Sequence, residues 1–368
     1  MKSAFIKPRS PDSYQISRDK HHPTRRPTQR PLLPLALVIA LDILFLGIGL
    51  VTFALFHHVL PRDVGKAGQV LPRSTVILSD NATGTIHSDI LAPEPLTGPD
   101  DSTASTTAAA TAEAKNTGGF AEKFKDRFTS GAVEQTETTY KSANINVTLQ
   151  KVQKNGAAYI VTDIYVSDIR FFKTAFATGK YGRGLTDSVL HMAAANKAIV
   201  ALSGDYFGIR DKGIVIRNGV LYRDSSDRDV MILNNDGSMA TFTATEFNIE
   251  SVQKQGAWQS WSFGPMLLKD GKPMTAFNSD VPSLNPRSAI GYYEPGHYCF
   301  VLVDGRHPGY SDGMTLKQLS QLFYDLGCKV AYNLDGGQSA VMTFKDKVAS
   351  SPYADSRNVS DIVYIADQ

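Results

Sequence analysis

The stretch Lys329–Ala340, which reads KVAYNLDGGQSA, decides the fold. Its apolar first half, Val330–Leu334, predicts a buried β-strand. The strand stops at Asp335, and two glycines follow. Consecutive glycines adopt positive φ and let backbone N–H groups approach a ligand. An acid at this point commonly presents its carboxylate at the edge of a sheet, although a plain Asp-Gly turn without chemistry is the alternative for one such motif.

The same arrangement, an acid beside a glycine just past an apolar strand, occurs twice more in the chain. The apolar run 198–202 leads into Ser203-Gly204-Asp205, and the apolar run 298–303 leads into Asp304-Gly305-Arg306. A turn motif that recurs after three separate strands favours a shared functional edge over three unrelated turns.

A helix is predicted at 315–326, between the second and third of these strands. It opens with a Thr-x-x-Gln capping box, Thr315 and Gln318, and its leucines recur on one face. Strand, helix and strand together predict a βαβ unit with two parallel strands. Parallel strands would place Asp304 and Asp335 on the same carboxyl edge of the sheet, where open α/β sheets bind their ligands.

The remaining C-terminal sequence predicts further strands. Residues 145–149 and 157–166 flank Asn155-Gly156, a strong β-hairpin signal. With 368 residues and 42% hydrophobic content, the chain can build a sizeable core. We therefore predict an α+β fold, a single mixed α/β catalytic domain over residues 120–368 with a central β-sheet and a βαβ unit.

The N-terminal part predicts a membrane anchor. Residues 1–34 form a basic tail with eight Lys or Arg against two Asp, and the 22-residue apolar run 35–56 follows. That run has the length of a transmembrane helix, and the positive-inside rule places the tail in the cytoplasm. A cleaved signal peptide is the alternative, disfavoured by the long run and by the bulky residues after it. We expect a single-pass protein of the cell membrane with an extracellular catalytic domain.

Residues 57–119 predict a flexible extracytoplasmic linker. They are rich in Ser, Thr, Ala, Pro and Gly, and this composition buries too little apolar surface to offset the entropy of ordering. The net charge of the whole chain is only +2, which argues against nucleic acid as a partner. The two cysteines, Cys299 and Cys328, leave two alternatives open, a disulfide or two buried free thiols.

Five motifs in the C-terminal half resemble those of the phosphodiester glycosidase family and occur in the family's order. They are Ser203-Gly204-Asp205-Tyr206-Phe207, Asn285-Pro286-Arg287-Ser288-Ala289-Ile290-Gly291, Val303-Asp304-Gly305-Arg306, Asn333-Leu334-Asp335-Gly336-Gly337-Gln338-Ser339 and Arg357-Asn358-Val359-Ser360-Asp361. They span about 160 residues and leave the predicted anchor and linker outside the resemblance. The sequence departs from the family at Ser203, usually Asn, at Gln338, commonly a small residue, and in the closing motif, more often R-P-V-S-N.

The resemblance implies a hydrolase that cleaves the glycosidic bond of a sugar-1-phosphodiester, similar to a GlcNAc-1-phosphodiester, in cell-envelope or exopolysaccharide glycans. Its catalytic candidates are Asp335 as base or nucleophile, Asp205 as its partner, and Asp304, which either orients Arg306 or completes an acidic cluster. Phosphate departs with little protonation, so a cationic clamp matters more than a general acid. The binding candidates are Arg287 and Arg306 as the clamp, the amides of Gly336 and Gly337, and Asn333 and Ser339.

Other interpretations of these residues stay open. Three converging acids could bind a divalent cation such as Ca²⁺. Arg287 and Asp304 could form a structural ion pair. The same cleft could belong to a non-catalytic glycan-binding envelope protein, or to a phosphoesterase that breaks the P–O bond instead.

Overall fold

The computed structural model describes residues 35–54, 68–71 and 119–368. The chain divides into two compact units, Met1–Phe56 and His57–Gln368. The described part of the first unit is the helix α1, Leu35–Ala54, which contains one ionisable residue, Asp42. Within the described ranges, no helix satisfies the length and hydropathy requirements of a membrane span. The anchor at 35–56 therefore remains a prediction from the sequence.

The second unit is rich in β-structure and has few helices, which confirms the predicted mixed α/β class. Its described α-helices are α2 (Gly119–Lys123), α3 (Val189–Ala195), α4 (Ile249–Lys254) and α5 (Leu316–Asp325). Its described strands are β1 (Gln69–Val70), β2 (Glu134–Gln135), β3 (Thr139–Lys141), β4 (Ile145–Lys154), β5 (Ala157–Val166), β6 (Phe172–Phe176), β7 (Val200–Ser203), β8 (Val215–Arg217), β9 (Val220–Arg223), β10 (Val230–Asn234), β11 (Met239–Phe242), β12 (Ala257–Trp261), β13 (Leu268–Lys269), β14 (Lys272–Pro273), β15 (Arg287–Glu294), β16 (His297–Val303), β17 (Val330–Leu334), β18 (Met342–Phe344), β19 (Lys347–Val348) and β20 (Asp361–Ile365).

Two large sheets organise the unit, and their strands pair antiparallel. The seven-stranded sheet has the order β17-β15-β16-β5-β4-β3-β2, and the five-stranded sheet has the order β19-β18-β7-β20-β6. Two three-stranded sheets, β1-β9-β8 and β11-β10-β12, and the hairpin β13-β14 complete the fold.

The predicted βαβ unit is present as β16, α5 and β17, and its two strands run parallel as expected, but they are not adjacent in the sheet. Strand β15 lies between β16 and β17 and pairs antiparallel with both. The physical reason is chain order: β15 and β16 are consecutive and form a hairpin, so β17 returns to the free edge of β15. Because β16 and β17 both run opposite to β15, they still point the same way, and both end at the same edge of the sheet.

The core lies between the two large sheets, and one helix covers the outer face of each. The largest apolar cluster combines inward residues of the seven-stranded sheet, such as Phe300, with residues of the five-stranded sheet, such as Leu202. On the outer face of the seven-stranded sheet, α5 packs Leu319 and Phe323 against Val301. On the outer face of the five-stranded sheet, α3 packs in the same way. This order of layers leaves the strand ends at the sheet edge accessible.

Local sequence signals explain two elements that frame this edge. Asn155 and Gly156 have φ of 53° and 76° and join β4 to β5 in direct register, as expected for a two-residue hairpin. The capping box at the start of α5 is present, since the Thr315 side chain accepts from the Gln318 amide and Gln318 caps in return.

The structure corrects the predicted linker at residues 68–71. Gln69 and Val70 pair with β9 as an edge strand, and Leu71 is buried in the apolar cluster beneath it. The stretch 57–119 is therefore not flexible spacer throughout. The polar composition around this segment hides its strand, because a two-residue strand is too short to produce a periodic pattern.

We expect Leu71→Ala to destabilise the domain by about 2 kcal/mol, because it removes a buried leucine that is 4% exposed. Val70→Ala is the matched control, since Val70 is 77% exposed and its loss should change stability by less than about 0.5 kcal/mol. Urea unfolding of both variants measures the difference. Equal stability of the two variants would mean that residues 68–71 do not dock on β9.

Candidate active site

A cleft of about 310 Å³ opens where β16 and β17 end and β15 begins. We call it the arginine cleft, because five arginines line it: Arg210, Arg228, Arg287, Arg306 and Arg357. Only two acids, Asp280 and Asp335, line it with them. Among the described residues, Arg357 is the one cleft arginine with a carboxylate oxygen within 4 Å. The cleft is therefore strongly cationic.

The structure brings six of the nine predicted site residues to this cleft. Asn333, Asp335, Gly336, Gly337, Arg287 and Arg306 line it. The other three, Asp205, Asp304 and Ser339, do not line it, and each is at most 4% exposed. The predicted edge of the sheet thus brings six of these residues together, but the three acids do not converge there.

Asp335 is fixed by its main chain and by one arginine. Its amide donates to the Gly204 carbonyl over 3.0 Å, and its own carbonyl accepts from the Ser203 hydroxyl over 2.9 Å. The carboxylate accepts from Nη2 of Arg357 at 3.1 and 3.2 Å. Burial raises the pKa of Asp335 to about 6, while Arg357 and Ser339 lower it and the charge of Asp205 raises it further. This carboxyl therefore titrates near neutral pH.

Asp205 lies behind Asp335 rather than in the cleft, so its predicted position at the cleft surface is wrong. Its carboxylate accepts from the amides of Tyr206 and Ser262 at 2.7 and 2.8 Å. Its own amide donates to Asp361 over 2.7 Å. The Gly204-Asp205 turn points the carboxylate inward because these buried amides need acceptors. Asp205 acts on the cleft through its charge and through the strand end that it shapes.

Asp361 and Arg217 complete a buried charge network beneath the cleft. The Arg217 Nε donates to Asp361 over 2.7 Å, and Arg217 Nη2 lies 3.9 Å from Asp205. Both members of the close pair are almost fully buried. Burial raises the pKa of Asp361 to about 6, although Arg217 lowers it. Asp361 is the last residue of the closing motif, whereas Arg217 lies outside the five motifs, and the two are 144 residues apart in the chain.

Asp304 belongs to a different local structure. Its carboxylate accepts from the Tyr310 hydroxyl at 3.0 Å and from the Ser351 amide at 2.9 Å, so it ties two loops together. Burial raises the pKa of Asp304. It neither orients Arg306 nor joins an acidic cluster, which corrects both roles considered for it. No group of three or more His, Cys, Asp or Glu in the described ranges is arranged to hold a metal ion, so the structure offers no support for the Ca²⁺ site.

Arg287 is already occupied by main-chain carbonyls. Its Nε donates to Met314 over 3.0 Å, and its Nη2 donates to Val281 over 2.8 Å and also to Ser283. No ion pair with Asp304 forms, so that interpretation is wrong. Burial lowers the pKa of Arg287 to about 10, and the charge of Arg306 lowers it further. Arg287 therefore holds the 281–283 loop at the cleft wall while its charge remains unpaired.

Arg306 is better placed to contact a ligand. Its side chain is exposed, and its backbone has a φ of 60°. Nη2 donates to the Asn285 side chain over 2.7 Å, and the guanidinium lies 5.3 Å from the ring centre of Tyr353. The two glycine amides predicted to bind a ligand differ in their hydrogen bonding. The Gly337 amide is used by the Pro286 carbonyl at 2.9 Å, whereas that of Gly336 has no hydrogen-bond partner among the described residues.

Asn333 also presents an unused group. Its Nδ2 donates to the Gly264 carbonyl over 2.8 Å, while its Oδ1 is buried and has no partner within the described structure. A buried acceptor without a donor is costly, so it favours a ligand hydroxyl or amide at this position.

Comparison with known proteins shows which family this part of the chain is similar to. Residues 196–366 match the model of the family described as phosphodiester glycosidase. The match confirms, for this part of the chain, the family resemblance of the five motifs. The match includes Asp205, Asp335, Asp361 and the five arginines of the cleft.

Individual relatives of the phosphodiester glycosidase domain are distant. The chain is 33% identical over 190 residues to the uncharacterized SPbeta prophage-derived protein YomE of Bacillus subtilis, covering 48% of this chain and 29% of that protein's length. It resembles the catalytic domain of zebrafish N-acetylglucosamine-1-phosphodiester α-N-acetylglucosaminidase, auto-inhibited by its pro-peptide, with TM-score 0.49 and 20% identity over 61% of this chain and 83% of that one. A hypothetical protein from Synechocystis has TM-score 0.47 and 14% identity over 64% of each chain.

Arg357 lines the cleft but was not among the predicted site residues. It donates to the Ser339 hydroxyl from Nε and Nη2, at 2.9 and 2.6 Å, as well as to Asp335. Its guanidinium also lies 4.9 Å from the ring centre of Tyr206. Ser339 is thus buried and holds Arg357 in place, and its predicted contact with a ligand stays a prediction. The available signal was the closing motif, in which Arg357 is the first residue.

Proposed function

We propose that this domain hydrolyses the glycosidic bond of a sugar-1-phosphodiester, similar to a GlcNAc-1-phosphodiester, in cell-envelope or exopolysaccharide glycans. The observation that carries the proposal is one buried carboxylate, Asp335, in a cleft that four arginines without carboxylate partners share with it among the described residues. The family of residues 196–366 supports the same reaction class.

The charge of the cleft supports an anionic ligand. Guanidinium groups without carboxylate partners repel one another in a cleft that is partly shielded from solvent. A bound phosphate diester would relieve that repulsion. Arg306 and Arg357 are the exposed members and would contact the phosphate oxygens. The free Asn333 Oδ1 and Gly336 amide would bind sugar hydroxyl or carbonyl groups beside it.

Asp335 would act as the base or nucleophile at the anomeric carbon. Its pKa of about 6 leaves it mainly ionised at neutral pH and still basic enough to accept a proton from water. The leaving phosphate monoester has a second pKa of about 6, so it departs with little protonation and needs cations more than a general acid. Arg357 would serve both the carboxylate and the leaving group, because it contacts Asp335 and can also contact the leaving phosphate.

Asp205 then serves as a positioning residue. Its buried negative charge raises the pKa of Asp335, and its neighbour Gly204 accepts from the Asp335 amide. Both effects keep the Asp335 carboxylate basic and in a fixed orientation. Asp304 has no part in this mechanism.

We expect kcat/KM to fall by about tenfold per pH unit below a midpoint near 6, because protonated Asp335 can neither accept a proton nor attack. Arg357→Ala should move the midpoint upward, since the arginine stabilises the carboxylate and its removal raises the pKa of Asp335. Arg306→Ala, which lacks contact with Asp335, is the control and should leave the midpoint in place. A midpoint that Arg357→Ala does not move would assign the titration to another group.

Arg306→Ala should raise KM by about tenfold or more with little change in kcat, because a charge-assisted contact to the bound phosphate is lost in both ground and transition states. Its melting temperature should stay close to that of the parent, as Arg306 is exposed. Arg287→Lys should instead lower the melting temperature, because lysine cannot reproduce the fork that binds Met314 and Val281. Steady-state kinetics and thermal melts separate the two behaviours. Unchanged KM in Arg306→Ala would remove it from the phosphate site.

The reaction itself is tested with a GlcNAc-1-phosphodiester in ¹⁸O-labelled water. Glycosidic cleavage places the label on the released sugar. Label in the phosphate would identify a phosphoesterase that breaks the P–O bond, and binding without turnover would identify a glycan-binding protein. Either of these outcomes overturns the proposal.

We further propose that the domain is exported and tethered by a single N-terminal anchor whose amino end is cytoplasmic. The support is the basic tail before residue 35 and the apolar composition of α1, whose described side chains are exposed. A reporter fused after Gln368 should be active only outside the cytoplasm. Cytoplasmic activity of that reporter would reverse the topology.

A further inference from the structure

The two cysteines of the chain meet inside the domain, away from the arginine cleft. Cys299 lies on β16 and Cys328 lies just before β17, and their sulfur atoms are 3.6 Å apart. Both are free thiols, 0% and 4% exposed. Strand β15 separates β16 from β17 in the sheet, so the thiol pair bridges two strands that do not hydrogen-bond to each other.

Gly291 of β15 provides the space in which the sulfurs meet. It pairs with Cys299 in the ladder, and the amide of Lys329, the residue after Cys328, donates to the neighbouring Tyr292 carbonyl. A Cβ at Gly291 would lie 2.5 Å from Sγ of Cys299 and 2.8 Å from Sγ of Cys328, distances that real Cβ atoms do not adopt. The pair thus occupies a volume that glycine alone leaves open.

Tyr293 and α5 enclose the pair on the outer face of the sheet. Tyr293 packs against the apolar cluster that contains both cysteines, and Phe323 of α5 approaches the same glycine. Burial raises the pKa of the Cys299 thiol well above its ordinary value. A thiol in this environment is a poor nucleophile once the domain has folded, so the pair would be oxidised during folding, before it is buried.

We propose that Cys299 and Cys328 are a disulfide-forming site that closes across Gly291 while the domain folds. One thiolate attacks a small-molecule disulfide such as oxidised glutathione, forming a mixed disulfide and releasing one glutathione thiolate. The second cysteine thiolate then displaces the other glutathione. The protein loses two protons and two electrons, and the glutathione disulfide gains both.

The short distance between the sulfurs and their spacing in the chain favour a disulfide. A disulfide needs its sulfurs at about 2.05 Å, so the two sulfurs together must approach by about 1.5 Å from their present separation. The two cysteines are 29 positions apart in the chain, so a cross-link between them would restrict the unfolded chain. It would join the strands that lead to Arg306 and to Asp335, and so fix the spacing of two sides of the cleft.

The test refolds the full chain from denaturant in two buffers, one with oxidised and reduced glutathione and one with dithiothreitol alone. Each product is denatured, alkylated with iodoacetamide and weighed by mass spectrometry, which is unambiguous because the chain has only two cysteines. We expect no alkylated thiol in the first monomer and two in the second. The oxidised form should melt higher by about 5–10 °C.

Cys299→Ala/Cys328→Ala is the control, and its melting temperature should be the same in both buffers. Two free thiols in a natively folded monomer from the glutathione buffer would overturn the proposal. Disulfide-linked dimers, or an oxidised form that melts below the reduced one, would also overturn it. None of these readouts depends on the proposed hydrolase activity.

Discussion

Asp335→Asn should lower kcat by at least about a hundredfold while the domain stays folded. Asparagine nearly matches the shape of aspartate, and its side-chain oxygen can still accept from Arg357, which now donates to the carboxylate at 3.1 Å. The two main-chain bonds that fix this residue, to Gly204 and Ser203, do not involve the side chain. What disappears is the negative charge and the ability to accept a proton in the transition state.

Steady-state kinetics on a sugar-1-phosphodiester, with a thermal melt of each variant, measure this effect. Asp304→Asn is the matched comparison, because Asp304 follows β16, which ends at the same sheet edge as β17, yet it lies outside the cleft. We expect it to retain most of the parental kcat. A folded Asp335→Asn protein with near-normal kcat, or an inactive but folded Asp304→Asn protein, would move the catalytic centre away from Asp335.

Asp361→Ala should destabilise the domain by about 3–5 kcal/mol, because it leaves the Arg217 guanidinium buried without its closest carboxylate. The same change removes the acceptor of the Asp205 amide. Urea unfolding followed by circular dichroism measures the loss. The folded fraction should also show reduced kcat, since the Asp205 turn supports the main chain of Asp335.

Two further variants test whether the loss of stability comes from the unpaired buried charge. Glu294→Ala breaks the exposed pair with Lys123, and its cost should be below about 1 kcal/mol because solvent screens that pair. Arg217→Met/Asp361→Leu removes both buried charges and should recover part of the stability, as expected when the penalty is an uncompensated charge. If Asp361→Ala were as stable as Glu294→Ala, the buried pair would have no structural role.

The sequence by itself determined the features that depend on neighbouring residues. The Asn155-Gly156 hairpin formed as predicted because positive φ at both positions is a local property. The capping box of Thr315 likewise needs only residues three apart. The strand that ends at Asp335 was visible because an apolar run followed by two glycines is typical of that structure. The order of five motifs then indicated the family, which the match at 196–366 confirms.

The tertiary structure alone decided which of these residues share the cleft. Insertion of β15 between β16 and β17 depends on pairing across the sheet, which no local pattern encodes. Asp205 turns inward because amides from distant segments require its carboxylate as an acceptor, and Arg287 is held by the carbonyls of two loops. Arg357 reaches Asp335 from 22 residues further along the chain. Side-chain direction depends on which distant groups must be satisfied when they are buried, and those groups meet only in the folded domain.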